Sequence, residues 1–308
     1  MYPIWRGHAA WAGMRPKREA LLAYACLLPS AVLVVGIILY PILRTFVAAF
    51  CELDDRGAPV RFGSVGSFRA LFGDDVFVRR VVPQSLLWTG SCVALTLLIA
   101  LVVAVLLNER VPGRRAARAI VMLPWASSLM ISAVIWRWML DPRRGAVNQL
   151  LRDLGLGALA PAWLARGETA LPAVIAVGVW VSIPFTAVVL LAGLQAIPEE
   201  LYEAALMDGA TPWQRFRLLT LPLLRPVLTV AVLLNVIYVF NSFPIIWTLT
   251  EGGPANRTHI VVTYLYKMAF DWSRYGEAYA MAVLTFAFLL LFSVLYTRVH
   301  ARGGLSTA

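Results

Sequence analysis

A soluble chain of 308 residues would make about two domains, but 60% hydrophobic and only 14% charged residues, at a mean hydropathy of +0.74, exclude a soluble fold. The net charge of +10 does not indicate a nucleic-acid partner, because the basic residues are scattered between apolar runs and form no long basic stripe with interleaved aromatics. The composition is that of an all-α, multi-pass membrane protein surrounded by lipid.

A helix that crosses ~30 Å of hydrocarbon needs roughly 20 apolar residues, and six segments meet or approach that length. The first, 20–43, follows Arg15-Pro-Lys-Arg18. It is longer than a signal peptide and shows no small-residue cleavage site, so it is expected to stay attached. Residues 51–80 carry five acidic and five basic side chains and form an extracytoplasmic loop. The second span, 81–108, leads into 109–118, where four arginines in ten residues mark a cytoplasmic loop.

The third span, 119–138, holds Pro124, Trp125, Trp136 and Trp138, the tryptophans suited to anchoring at the membrane interface. Residues 141–169, with Gly145-Ala-Val-Asn148 and Gly155-Leu-Gly157, return to the outside. The fourth span lies within 170–198 and contains Trp180 and Ser182-Ile-Pro184-Phe185, where the proline removes a backbone hydrogen bond and favours a kink.

The fifth span, 226–250, carries Asn235, Tyr238, Asn241, Ser242 and Pro244. Buried amides in hydrocarbon must be paired, so these residues face either a water-filled path or a neighbouring helix. On one helix Asn235 and Asn241 stand about 120° apart, with Tyr238 about 60° from each. Tyr238, Asn241 and Ser242, with Asn235 and Trp180, are the candidate substrate-path residues, Asn235 the more structural among them. Residues 259–266 are too short to cross and belong at the outer interface; the sixth span is 278–297.

Six spans put both termini on the cytoplasmic side. Lysine and arginine number 13 in the 67 residues of the inside segments and 14 in the 97 of the outside ones, a modest lean in the expected direction. Cys26, Cys51 and Cys92 fit no metal spacing, and His8, His259 and His300 lie far apart, so the sequence gives no support to a metal site, a catalytic centre or a bound cofactor.

One polar island breaks the apolar pattern between the fourth and fifth spans. Residues 199–207 are good helix formers, Asp208-Gly209 supplies the stop, and Thr211-Pro212 restarts a helix with an N-cap and a proline at its first position. Pro222 is expected to end that second helix. Leu201, Ala204 and Ala205 give the first helix a small-residue face on which another protein's backbone can dock.

Glu203-Ala-Ala-Leu-Met-Asp-Gly209, followed after nine residues by Leu219-Thr-Leu221-Pro222, resembles the coupling motif of permease subunits in binding-protein-dependent ABC importers. Leu219 stands where the family usually has isoleucine. Leu191-Ala-Gly-Leu-Gln-Ala-Ile-Pro198 and Thr250-Glu-Gly-Gly-Pro254 resemble its carbohydrate-uptake branch, of the maltose and glycerol-phosphate type, and weaker likeness runs from about Leu28 to Tyr296.

The resemblance implies a type I importer permease fold in a bacterial inner membrane. Residues 20–297 are then one transmembrane domain with its coupling loop at about 198–222, flanked by cytoplasmic segments 1–19 and 298–308. It implies a second permease subunit, two ATPase subunits and an extracytoplasmic solute-binding protein as partners, and a sugar or sugar derivative as cargo. Glu203, Ala204, Ala205, Asp208, Gly209, Leu221 and Pro222 would couple the chain to the ATPase. No Gly-x-x-x-x-Gly-Lys-Ser/Thr loop occurs, so ATP and its magnesium would be bound on the partner subunits and this chain would not be an enzyme. The alternative, an ion-coupled secondary transporter, calls for ionisable groups at the membrane midplane, and the middles of these spans carry none.

Overall fold

The computed structural model describes residues 16–54, 56–109 and 112–301. The basic residue Arg15, the clustered Arg110, His8 and most of the two terminal segments lie outside the described residues. Among the described residues, five helical stretches are long and apolar enough to cross a membrane: Tyr24–Ala49, Phe77–Asn108, Ala170–Gln195, Pro212–Phe240 and Tyr275–His300. A sixth crossing is made only if two helices bent by 95°, Arg114–Ala126 and Leu129–Met139, count as one span.

In chain order, α1 (Pro16–Leu33) continues through a π-helical turn into α2 (Tyr40–Ala49). The loop after α2 is ordered: β1 (Cys51–Leu53) pairs antiparallel with β2 (Pro59–Phe62), and α3 (Gly66–Phe72) follows. This hairpin departs from an all-helical chain. Next come α4 (Val82–Asn108), α5 (Arg114–Ala126), α6 (Leu129–Met139), α7 (Ala146–Asp153), α8 (Ala170–Gln195) and α9 (Glu199–Met207). The chain ends with α10 (Pro212–Arg215), α11 (Leu221–Phe240), α12 (Phe243–Thr250), α13 (Val261–Tyr266) and α14 (Tyr275–Ala301).

Pro222 does not end the helix that starts at Pro212. A π-turn over Phe216–Thr220 lets Leu221 donate to the Phe216 carbonyl, and the helix runs on to Phe240. The same device precedes Pro41, where Tyr40 donates to Val35, and Pro83, where Val82 donates to Phe77. A proline ring clashes with the carbonyl four residues back, and the widened turn just before it relieves that crowding without stopping the helix. α8 likewise continues through Pro184.

Two expected spans are broken. The third turns at Ser127-Ser128, and the fifth stops at Asn241-Ser242, so that 226–250 is not one helix. At each break a side chain satisfies one of the carbonyls freed there, since a membrane offers no water to do so. The Ser127 hydroxyl donates to the Pro124 carbonyl at 3.0 Å and lies 2.7 Å from the Ser132 hydroxyl. Asn241 Nδ2 donates to the Ile237 carbonyl at 2.9 Å. The two short half-helices, α6 and α12, then pack on each other.

The core is the α4–α8 pair with α11 laid across it. Trp88 and Cys92 of α4 meet Val174 and Val177 of α8. Gly178 is required there, because a Cβ at that position would come within 2.5 Å of the Trp88 ring. A second cluster, Ala100, Ala104, Leu190, Leu194 and Leu224, lies toward the polar island.

Candidate functional site

The island forms an elbow whose local rules are all visible. Glu199 and Glu200 occupy the first turn of α9, where negative charge suits the helix dipole. Gly209 takes φ +74°, and the helix ends in a Schellman motif: Ala210 N–H donates to the Ala205 carbonyl at 2.9 Å and Gly209 N–H to the Leu206 carbonyl at 3.0 Å. A Cβ at Gly209 would meet nothing within 4 Å, so the glycine is demanded by backbone conformation and not by space. Thr211 then opens α10 with a capping box. Gln214 N–H donates to the Thr211 hydroxyl at 3.3 Å, and the Gln214 side chain accepts from Thr211 N–H at 2.8 Å.

Two residues outside the motif hold the arms together. Tyr202 Oη lies 3.0 Å from Thr220 Oγ1, and Thr220 donates to the Arg215 carbonyl at 3.3 Å, so the tyrosine is the donor between them. The Thr-x-x-Gln spacing was a readable sign of the capping box. Nothing in the spacing of Tyr202 and Thr220 announces their bond, which exists only once the π-turn has formed.

Glu203, Ala204, Asp208 and Pro222 are exposed, while Ala205 and Leu221 are half-buried. Apolar side chains also stand in solvent here, with Met207 88% and Trp213 67% exposed. Exposed apolar surface rimmed by polar groups is a feature of protein and membrane contacts alike.

The five candidate path residues separate into two sets. Asn235 is buried, and its Nδ2 donates to Thr186 Oγ1 at 3.1 Å and to the Ala231 carbonyl at 2.9 Å, joining α11 to α8. Ser242 is also buried, and its hydroxyl has no partner among the described residues. Tyr238 and Asn241 are exposed, on the side of α11 that also shows Val230, Leu234 and Ile237. Asn241 caps the end of α11 and therefore does not extend a helical stripe past the break. Trp180 makes an edge-to-face contact with Trp136 at 5.4 Å. The stack of Trp125 on Phe185 at 6.5 Å was not anticipated, because it joins two elements whose pairing the sequence does not show.

Residues 95–303 match the family described as binding-protein-dependent transport system inner membrane component. A probable ABC transporter permease protein of Brucella suis is 43% identical over 92% of this chain and 97% of its own length. The trehalose/maltose transport system permease protein MalF of Thermococcus litoralis is 38% identical over 92% of this chain and 94% of its own. Among solved structures, a bacterial alginate ABC transporter in complex with an alginate pentasaccharide-bound periplasmic protein superimposes with a TM-score of 0.81 at 26% identity, covering 93% of this chain and 96% of that one. Together with the elbow and the apolar helices, these matches show that the chain belongs to the family of binding-protein-dependent transport system inner membrane components.

Proposed function

We propose that this chain is a permease subunit of an ABC importer that moves a sugar or sugar derivative inward, driven by ATP hydrolysed on partner subunits. The observation that carries the reading is continuity. From Pro212 to Phe240 the backbone is one helix of 29 residues, about 43 Å long at 1.5 Å per residue. One end of that rod is the second arm of the exposed elbow, and the other is the break at Asn241-Ser242. A partner that grips Met207, Asp208 and Trp213 would displace the rod as a unit, and the displacement would be delivered where Tyr238 and Asn241 stand.

The remaining parts of the assembly follow from the relatives. A trehalose/maltose permease supports a carbohydrate cargo, and an alginate transporter held with its periplasmic protein supports a solute-binding partner and a second permease subunit. Two ATPase subunits would dock on the elbows, the inner membrane would be the site of action, and both termini would be cytoplasmic. The sequence itself supplies no phosphate loop.

The test is reconstitution in proteoliposomes with the ATPase, second permease and binding protein. Uptake of labelled maltose or trehalose should require ATP and every partner, and the purified chain alone should hydrolyse none. ATP turnover by the chain freed of its partners, or uptake driven by an ion gradient, contradicts the assignment.

A further inference from the structure

At the end of the bundle away from the elbow, the last turn of α6, the segment 160–165 and the end of α12 enclose a cleft of about 430 Å³. Its walls are fixed from behind. Asn148, fully buried, donates to the Pro142 and Pro161 carbonyls at 3.3 and 3.1 Å and accepts from Trp163 Nε1 at 2.6 Å, which locks the segment after α6. On the other side Thr258 donates to the Gly253 carbonyl at 2.7 Å and lies 2.7 Å from the Thr250 hydroxyl.

Three charged residues, Arg137, Asp141 and Glu251, are among those that line this space. Arg137 Nη1 donates to the Thr248 carbonyl at 3.1 Å, and its other N–H groups have no partner among the described residues. Asp141 Oδ1 is used by the N–H groups of Arg143 and Arg144, at 2.9 and 2.8 Å, which leaves Oδ2 open. Glu251, held in the left-handed region at φ 53°, donates its backbone N–H to the Ile246 and Trp247 carbonyls at 3.2 and 3.1 Å, and its carboxylate has no partner among the described residues. Leu164, Leu249 and Pro254 supply apolar surface between them.

We propose that this cleft is a subsite for a neutral sugar at the outer mouth, where cargo rests before it enters the membrane-spanning path. Neighbouring sugar hydroxyls each donate and accept, so they are matched by a guanidinium and two carboxylates set around one cavity, while the sugar's C–H faces lie on leucine and proline. The volume is that of a small-molecule site. A protein anchor would meet a lining rich in charge, whereas the cores of protein interfaces are depleted in it. Two carboxylates against one guanidinium favour an uncharged ligand over a uronate; Arg143 and Arg144 stand in the adjoining turn and not in the lining.

The inference rests on the sugar reading above, and its test separates the two. The full chain in lipid nanodiscs, without binding protein, is titrated with maltose and with galacturonate by ligand-observed NMR. Saturable maltose binding in the millimolar range is expected, with galacturonate about two- to fivefold weaker. Arg137→Ala should weaken maltose binding by about two- to tenfold, and Ala165→Trp, which fills the cleft, should abolish it, both in protein that still assembles with its partners. An absence of saturable binding, an isotherm unmoved by Ala165→Trp, tighter binding of galacturonate, or an Arg137→Ala defect confined to docking of the binding protein each overturns the subsite. If the assembled wild-type transporter carries no sugar at all, it is the broader reading that fails.

Discussion

The Trp88 indole N–H donates to the Val239 carbonyl at 2.9 Å, a bond from the middle of the core to the last turn of α11, just before the chain breaks. The same carbonyl accepts from Ser242 N–H at 3.1 Å, so the break is pinned by α4 as well as by its own backbone. Trp88→Phe loses the donor and also the far edge of the indole that lies over Gly178, so thermal unfolding should report a loss of about 1–3 kcal/mol. Trp88→Ala should cost roughly 3–5 kcal/mol. Equal losses in the two variants would show that the indole bond, and not the ring's packing, dominates.

Asn235 and Asn241 should behave differently despite sharing α11. Asn235→Ala removes the buried bridge to Thr186 and should lower stability or assembly by about 1 kcal/mol. Asn241→Ala and Tyr238→Phe alter exposed groups, and should change the substrate dependence of uptake by about two- to tenfold with assembly intact. Uptake kinetics and thermal unfolding measured on the same preparations distinguish these results. If the Asn241 and Tyr238 variants lose assembly and keep wild-type kinetics, those residues pack helices and do not line the path.

His259 gives the loop 251–260 a pH dependence. The ring is fully buried, and a Cβ at Gly252 would collide with it. Thr263 Oγ1 donates to the Ile260 carbonyl at 3.0 Å, so the 3.1 Å contact assigns the proton to His259 Nδ1 and leaves Nε2 bare. Burial, with a smaller contribution from the Lys267 charge, lowers its pKa to about 4. An unfolded histidine titrates near ~6.5, so between those values the unfolded chain binds the extra proton. Stability is therefore unaffected above the unfolded value, falls by up to roughly 3 kcal/mol as pH drops through the window, and levels off below the folded value. Proteolysis within the loop should rise over that range in the wild type and stay flatter in His259→Gln. Identical pH profiles for the two proteins would rule the histidine out as the cause.

The six-span topology can be read with single cysteines. Cys26 is exposed, so Cys26, Cys51 and Cys92 are first replaced by serine. In intact cells an impermeant thiol reagent should label Ala70→Cys and spare Arg115→Cys and Asp208→Cys. Labelling at Asp208→Cys from outside would place the elbow on the wrong face for an ATPase.

The elbow was legible because its rules are local. A good helix former, a glycine stop and a Thr-Pro restart are decided within a few residues, and Gly209 takes the conformation that its type allows. The breaks were not legible, because hydropathy is a running average and 119–138 and 226–250 stay apolar straight through Ser127-Ser128 and Asn241-Ser242. What permits those breaks is the pairing of freed carbonyls with Ser127, Asn241 and Trp88, and the last of these partners becomes known only after the helices are packed. Pro222 misled for a related reason: proline's cost in a helix is local, but the π-turn that removes it is a property of the preceding turn. In the substrate path, chemistry named the polar residues but could not say that Asn235 would face Thr186 and Asn241 would not.

Coupling requires the Gly209 elbow to transmit work to the rod that begins at Pro212. Valine at 209 meets no steric obstacle but must enter the left-handed region, at a cost of roughly 1–2 kcal/mol, whereas asparagine tolerates that conformation. The decisive measurement is sugar uptake and ATP hydrolysis in parallel, in fully assembled transporters carrying Gly209→Val or Gly209→Asn. Uptake per ATP should fall by about five- to thirtyfold in Gly209→Val, matching the strain as a population ratio, and stay near wild type in Gly209→Asn. Wild-type uptake per ATP in an assembled Gly209→Val complex would contradict coupling through this elbow.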